Sequence, residues 1–243
     1  MSGTWSRLVI GDKPADIFEP SKKPPRFGIL FLHDLDGRTL RDHPTFTQVF
    51  DEAALACICP HGDQSWWTDR ICAEFDPHVT TEHYLLERVV PIFAEHWNLG
   101  TRATGLLGVG MGGQGVLRLA FKHPQTFPVV AAIAPILEYQ ELYGRGTPLD
   151  VMYDSKEQCR QHTAILHLHP TQYPPHVFYC IDPNDPWYRG SDRLHEKMNA
   201  LGVPHVHSVD ASTSGESNYL DRMAEPALRF VIAGLETESR RLL

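Results

Sequence analysis

Short apolar runs rich in β-branched and aromatic residues alternate along the chain with segments of helical period. Of all the features of the sequence, this alternation constrains the fold most. It predicts an α/β protein with a mostly parallel sheet covered by helices on both faces. Most of the runs are continuously apolar, as expected of strands buried on both faces. The predicted strands are residues 6–10, 27–32, 56–59, 104–109, 129–134, 176–181 and 205–209. The predicted helices are residues 45–55, 81–97, 113–123, 191–201 and 219–237.

Two long segments, residues 60–78 and 134–175, are rich in proline, glycine and aromatic residues. Such composition predicts loops or small excursions over the sheet, and long loops at the carboxyl edge of a parallel sheet are where ligands bind. The helix at 191–201 should be capped by Ser191 or Asp192 and should end at Gly202. Because no repeat or linker interrupts the sequence, we expect a single domain over residues 1–243.

Charge and hydropathy indicate which partners to expect. The net charge is −8 with histidine neutral, which repels nucleic acid and anionic membrane surfaces. The longest apolar run, residues 128–137, is about half of the roughly 20 residues that a membrane helix needs. The first residues show no basic patch followed by an apolar stretch. We therefore expect a cytoplasmic protein with a small-molecule ligand and with no nucleic-acid or membrane partner.

Cysteine and histidine are the candidate metal ligands of this sequence. The five cysteines are an odd number in a chain long enough to need no disulfide, which predicts reduced thiols. Cys57 and Cys59 should share one buried strand face. The pairs His167-x-His169 and His205-x-His207 lack an aspartate or cysteine at ligand spacing, which favours polar packing over a metal site. We expect neither a metal nor a cofactor.

Residues 106–121, LLGVGMGGQGVLRLAF, run from an apolar strand through a glycine turn into a helix. This is the setting of a G-x-S-x-G nucleophile turn, in which small residues let helix and strand approach closely. Here glycine stands in the serine's place, at Gly110. Dinucleotide and phosphate loops fit less well, since the turn comes late in the chain and lacks the Gly-Lys-Ser/Thr signature. The amides of Met111 and Gly112 should still attract water, a carboxylate or another small anion.

Residues 110–124, GMGGQGVLRLAFKHP, resemble the elbow and following helix of esterase-D-like α/β-hydrolases, the relatives of S-formylglutathione hydrolase. The resemblance covers most of the chain and implies the α/β-hydrolase fold, carboxylic-ester hydrolysis and a nucleophile position at Gly110. Residues 31–37, FLHDLDG, resemble the loop whose backbone amide helps to form the oxyanion hole. The resemblance thus places that hole at Met111, Asp34 and Leu35. Asp34 stands where relatives usually have glycine.

The two other triad positions also follow from the resemblance. Residues 180–187, CIDPNDPW, resemble the segment that carries the family's acid, and Asp185 is favoured over Asp182 because the acid usually lies a few residues beyond the strand. The histidine is expected in the loop before the last helix. Alignment places Gly215 there, with Glu216 as the other choice, and neither is histidine.

Two of three triad members are therefore absent where the resemblance predicts them. A serine triad needs a hydroxyl to acylate and a histidine to take its proton. We expect a catalytically degenerate esterase-like protein, a pseudoenzyme, that binds a small carbonyl or anionic ligand, or a partner, in the inherited pocket. Deliberate inactivation of an enzyme would explain glycine at 110 more easily than glycine at 215, since one substitution is enough to inactivate a triad.

The alternative is an active ester hydrolase, or another enzyme, that uses the same pocket with a relocated or non-serine mechanism. Candidates for a relocated nucleophile are the loop residues Ser65, Ser212, Ser214 and Ser217. Polar residues of loops are more often simply solvated.

Aromatic loop residues are the predicted pocket lining. Trp66 and Trp67, close to Arg70, can supply an aromatic wall and an anion contact. Trp187, beside the acid segment, is predicted to line the same pocket. For each of these residues the other interpretation is a loop side chain anchored onto the sheet.

Overall fold

The computed structural model describes residues 2–210 and 219–241. Within these residues, eight strands form one sheet. The strands are β1 (Thr4–Ile10), β2 (Lys13–Glu19), β3 (Phe27–Leu32), β4 (Leu55–Pro60), β5 (Thr104–Val109), β6 (Val129–Ile133), β7 (His176–Ile181) and β8 (Val206–Val209). Their order across the sheet is β1-β2-β4-β3-β5-β6-β7-β8. The two pairs that involve β2 are antiparallel and all the other pairs are parallel.

Helices cover both faces of the sheet. They are α1 (Pro44–Glu52), α2 (Thr81–Tyr84), α3 (Val90–Trp97), α4 (Met111–Lys122), α5 (Leu149–Met152), α6 (Lys156–Gln161), α7 (Ala164–His167), α8 (Tyr188–Leu201) and α9 (Tyr219–Arg240). A π-helical turn, Leu85–Val89, joins α2 to α3. One core lies between the sheet and α1 and α9, and the other lies between the sheet and α4 and α8. The predicted fold class is confirmed.

Strand β2 is absent from the sequence prediction. Its residues include Pro14 and Asp16, which break the apolar pattern expected of an inner strand. Asp16 is nevertheless buried, because Arg7 and Arg41 each place a guanidinium nitrogen 3.1 Å from its carboxylate. His61 lies 3.2 Å from the same carboxylate. A buried charge is tolerated when it is paired in this way.

Several predicted boundaries are corrected. Helix α1 ends at Glu52 and not at residue 55, because Ala54 has φ +54° and cannot continue the helix. The segment 134–175, predicted as a loop or a small excursion over the sheet, contains the short helices α5, α6 and α7. Helix α8 begins at Tyr188, so Ser191 and Asp192 lie inside it and do not cap it. Gly202 ends α8 with φ +67°, as predicted.

Residues 2–210 and 219–241 include no helix with both the length and the apolar character needed to cross a bilayer. The five cysteines all lie in these ranges and are free and buried. Cys57 and Cys59 point to the same core, with their sulfur atoms 3.7 Å apart. Burial raises the pKa of the Cys57 thiol well above its usual value, so this thiol is inert.

The contact between α4 and the sheet depends on glycine. A Cβ atom at Gly112 would lie 1.9 Å from the carbonyl oxygen of Leu32, at the end of β3. At Gly108 it would lie 2.3 Å from the carbonyl oxygen of Gly112. The helix therefore begins in backbone contact with two strands, which leaves no room for a side chain.

The substitution Gly112→Ala should lower the free energy of unfolding by about 3 kcal/mol or more, the upper end of overpacking effects, because backbone has to move. Gly100→Ala is the control, since no atom lies within 4 Å of its added Cβ. Its effect should stay within about 0.5 kcal/mol. Urea unfolding followed by tryptophan fluorescence measures both. Equal stability of the two variants would contradict the described contact.

Candidate functional site

The turn between β5 and α4 has the backbone of a nucleophile elbow. Gly110 has φ +55° and ψ −115°. Its N–H donates to the carbonyl of Ile133 at 3.0 Å, and its carbonyl accepts from the amides of Ile136 at 3.0 Å and Gln114 at 3.1 Å. Glycine adopts this conformation freely, whereas another residue would be strained by about 1–3 kcal/mol.

The side chain of Asp34 fills the space beside this turn. The Met111 amide donates to Asp34 Oδ1 at 2.8 Å, and the adjacent Leu35 amide also stabilises the charge of the Asp34 carboxylate. A Cβ at Gly110 would lie 2.1 Å from Oδ1, 2.2 Å from Cγ and 2.3 Å from Oδ2 of Asp34. The carboxylate therefore lies where a side chain at position 110 would begin, and it accepts a hydrogen bond from Met111, one of the three residues that the resemblance assigns to the oxyanion hole.

The environment of Asp34 acts on its acidity in two directions. Burial raises the pKa of this carboxyl, and hydrogen bonds from Met111 and Leu35 oppose the rise without cancelling it. Nearby Asp36 adds to the rise through charge repulsion. The N-terminus of α4 favours the ionised form, as helix N-termini do for anions. The sequence had predicted a small anion at this turn, and the structure places the chain's own carboxylate there.

His33 fixes the loop that carries Asp34. The Gly62 amide donates to His33 Nε2 at 3.0 Å, so Nδ1 holds the ring hydrogen and donates to the Asp34 carbonyl at 2.7 Å. Burial lowers the pKa of His33, which keeps the ring neutral. Trp67 Nε1 donates to the His33 carbonyl at 3.2 Å. Sequence reasoning missed His33, although its place in the Phe-Leu-His loop after β3 was a signal.

A cleft of about 340 Å³ opens beside Asp34, at the carboxyl ends of β3 and β5. Four other ionisable side chains line it in two pairs. Arg38 lies 3.4 Å from Asp36, and His43 Nε2 lies 2.9 Å from Asp221 Oδ1. No sequence pattern selects His43 or Asp221, because they are 178 positions apart and only the fold brings them together.

The predicted acid positions lie after β7. Asp185 accepts a hydrogen bond from the Trp187 amide at 2.7 Å. Asp182 accepts from the backbone amide of Asn184 at 2.8 Å. Neither carboxylate lines the cleft beside Asp34. The predicted histidine position, Gly215, and its alternative Glu216 lie outside the described residues, so the triad roles remain predictions.

The tryptophan pair lies inside the protein. Trp66 and Trp67 are each 1% exposed. Trp66 stacks on Tyr139 with ring centroids 4.6 Å apart, and the edge of Trp67 meets His33 at 5.0 Å. Ser65 is fully buried beside them. This placement agrees with the anchoring interpretation, since the two rings pack inward beneath the loop. The other loop serines, Ser212, Ser214 and Ser217, lie outside the described residues.

Arg70 and Trp187 do not line the cleft beside Asp34 either. The Arg70 guanidinium lies 5.3 Å from the centre of the Tyr153 ring and lines a different cleft, of about 440 Å³, against α5. Trp187 is half-buried at the start of α8. The structure therefore does not bring the four predicted pocket residues together around Asp34.

The second histidine pair belongs to an aromatic cluster. The rings of His205 and His207 stack on Tyr179, with centroids 5.9 and 4.6 Å from it. His195 Nδ1 lies 2.8 Å from His205 Nε2. Across residues 2–210 and 219–241, no group of three or more His, Cys, Asp or Glu side chains could hold a metal ion.

The sheet order, the glycine elbow and the two amides beside it define an α/β-hydrolase. Two solved structures support this class. A fluorophosphonate-binding serine hydrolase of Staphylococcus aureus superposes with a TM-score of 0.75 and 17% identity, over 96% of this chain and 99% of that one. An S-formylglutathione hydrolase from Agrobacterium tumefaciens superposes with a TM-score of 0.75 and 15% sequence identity, over 96% of this chain and 94% of that one.

Within that class, the chain belongs to the Esterase family, whose model matches residues 14–230. An S-formylglutathione hydrolase of Paracoccus denitrificans is 27% identical over 113 residues. The aligned part is 46% of this chain and 40% of that relative, so the chain spans less than half the length of this relative.

Gly110→Ala should be destabilising for two separable reasons. Backbone strain costs about 1–3 kcal/mol, and displacement of the Asp34 carboxylate adds to it. Gly144→Ala is the control for strain alone, because Gly144 has φ +81° but no atom within 4 Å of an added Cβ. In a double-mutant cycle with Asp34→Gly, the coupling should be about 0.5–3 kcal/mol. Additive effects in urea unfolding would show that the two residues do not compete for space.

Three histidines make stability depend on pH. Burial is the main cause that lowers the pKa of His162, His167 and His207 from 6.5 to about 4. Between these values the unfolded chain binds more protons, so stability should fall as the pH drops from 6.5 to 4 and these groups should cause no further loss below 4. His207→Gln removes one of the three groups that take up a proton on unfolding, so the loss of stability between pH 6.5 and 4 should be smaller by the contribution of one histidine. Urea midpoints across this range measure it, and an unchanged pH dependence would contradict the assignment.

Proposed function

We propose that this member of the Esterase family has lost serine chemistry and binds a small molecule in the cleft beside Asp34. One observation carries the proposal. The Asp34 carboxylate accepts a hydrogen bond from the Met111 amide, in the space where a side chain at position 110 would begin.

The proposal follows from what acyl transfer requires. A serine mechanism needs an oxygen that can be acylated and free amides for the oxyanion that forms on the substrate. Gly110 supplies no oxygen. A substrate carbonyl would have to displace Asp34 from the amides of Met111 and Leu35 before either could help.

The same observation changes the class of ligand expected from the sequence. A carbonyl or anionic ligand finds the amides of Met111 and Leu35 already engaged. Among the described residues, three carboxylates line the cleft, those of Asp34, Asp36 and Asp221. The guanidinium of Arg38 is the one guanidinium in the described part of that lining. A neutral or cationic small molecule therefore suits the cleft better than an anion does.

Serine chemistry can be tested directly. The protein should not react with a fluorophosphonate probe and should not hydrolyse short-chain p-nitrophenyl esters above the rate of a Gly110→Ala variant. The fluorophosphonate-binding hydrolase named above supplies a positive control. Rapid turnover together with covalent labelling of a serine would overturn the proposal.

The missing parts can also be restored. Gly110→Ser alone should remain inactive, because Asp34 occupies the space and no histidine is expected at position 215. Gly110→Ser with Asp34→Gly and Gly215→His should recover ester hydrolysis. The same serine and histidine with Asp34 retained should be at least tenfold slower. Activity of the single variant would show that the base lies elsewhere.

A further inference from the structure

We propose that Asp34 is a nucleophile toward saturated carbon, and that its carboxylate opens a small epoxide bound in the cleft. A new bond forms between a carboxylate oxygen and an epoxide carbon, and the ring C–O bond breaks. The ring oxygen keeps the electron pair and takes a proton from water. The product is a hydroxyalkyl ester of Asp34. This inference rests on the proposed function, because a working serine would leave Asp34 without a role.

The first support is the position of the carboxylate. All three of its atoms lie within 2.3 Å of the place where a Cβ at Gly110 would be. It therefore presents an oxygen where the elbow would present a nucleophile, although it arrives from the loop after β3. The bonds of His33 to Gly62 and to the Asp34 backbone hold that loop in place before any ligand arrives. Such fixed placement of a reacting group is a large part of catalysis.

The second support concerns which carbon such a group can attack. Attack on an acyl carbon would create an oxyanion that needs the amides of Met111 and Leu35, which Asp34 itself occupies. It would also produce an anhydride. Attack on a saturated carbon needs no oxyanion hole for the substrate. The resulting ester keeps its carbonyl oxygen on the Met111 amide, where Oδ1 already lies.

The third support is the contrast with the other carboxylates of the cleft. Asp36 lies beside Arg38, and Asp221 lies beside His43. Both are also well exposed, at 56% and 40%. Asp34 is bonded by amides and has no cation within ion-pair distance among the described residues. Burial raises its pKa, and a more basic carboxylate is a better nucleophile.

The cleft has room for a small neutral molecule. Its volume of about 340 Å³ lies at the lower end of ligand pockets, which run from roughly 300 to 1,000 Å³. Val109 and Leu220 add apolar surface to the wall of the cleft, beside the charged groups. A four-carbon epoxide can enter with its ring toward Asp34.

The test is incubation of the full chain with 1,2-epoxybutane, followed by intact mass, peptide mapping and measurement of the diol product. We expect one adduct on Asp34, or diol formation that depends on Asp34 if the ester turns over. Asp34→Asn keeps an oxygen for the Met111 amide and should lose both signals by at least tenfold. Asp12→Asn, an exposed aspartate away from the cleft, should keep them.

A second variant guards against misfolding of the first. Leu220→Trp narrows the cleft and retains the carboxylate, so labelling should fall at least tenfold. Neither adduct nor diol above the level of Asp34→Asn would overturn the inference, and so would equal labelling of Asp36 or Asp221. Failure of the proposed function is a different result, namely fluorophosphonate labelling of a serine.

Discussion

The hydrogen bond from the Met111 amide to the Asp34 carboxylate determines the arrangement of the whole site. It joins the loop after β3 to the first residue of α4. The positive end of that helix stabilises the charge that burial disfavours. Gly110 leaves the space into which the carboxylate fits, and Gly112 lets the helix approach the sheet closely enough for the bond to form. The positions of Asp34, Gly110 and Gly112 therefore depend on one another.

Gly110 and Asp34 therefore depend on each other for space. Serine at 110 together with aspartate at 34 would place two side chains in the same space. Glycine at both positions would leave the amides of Met111 and Leu35 without the acceptor they now have. Glycine at 110 leaves the space that the Asp34 carboxylate fills, although 76 residues separate the two positions in the chain.

The sequence was most informative where burial is uniform. Strands β3, β5 and β7 have their predicted ends because nearly all of their residues are buried, whereas β2 was missed because Asp16 needs partners from distant parts of the chain. The resemblance located the residues around Gly110. It could not show that the Asp34 side chain turns onto the helix, because a contact distant in sequence decides its direction. Nor could composition show whether Trp66 and Trp67 face a pocket or pack inward.

The neutral ring of His33 has a consequence for how a ligand would be received. Both of its nitrogens are used within the protein, by Gly62 and by the backbone of Asp34. The wall of the cleft is therefore ordered when the chain folds and not when a ligand arrives. A ligand that enters does not have to supply the entropy of ordering this loop, so little of its binding free energy is lost to reorganisation of the protein there.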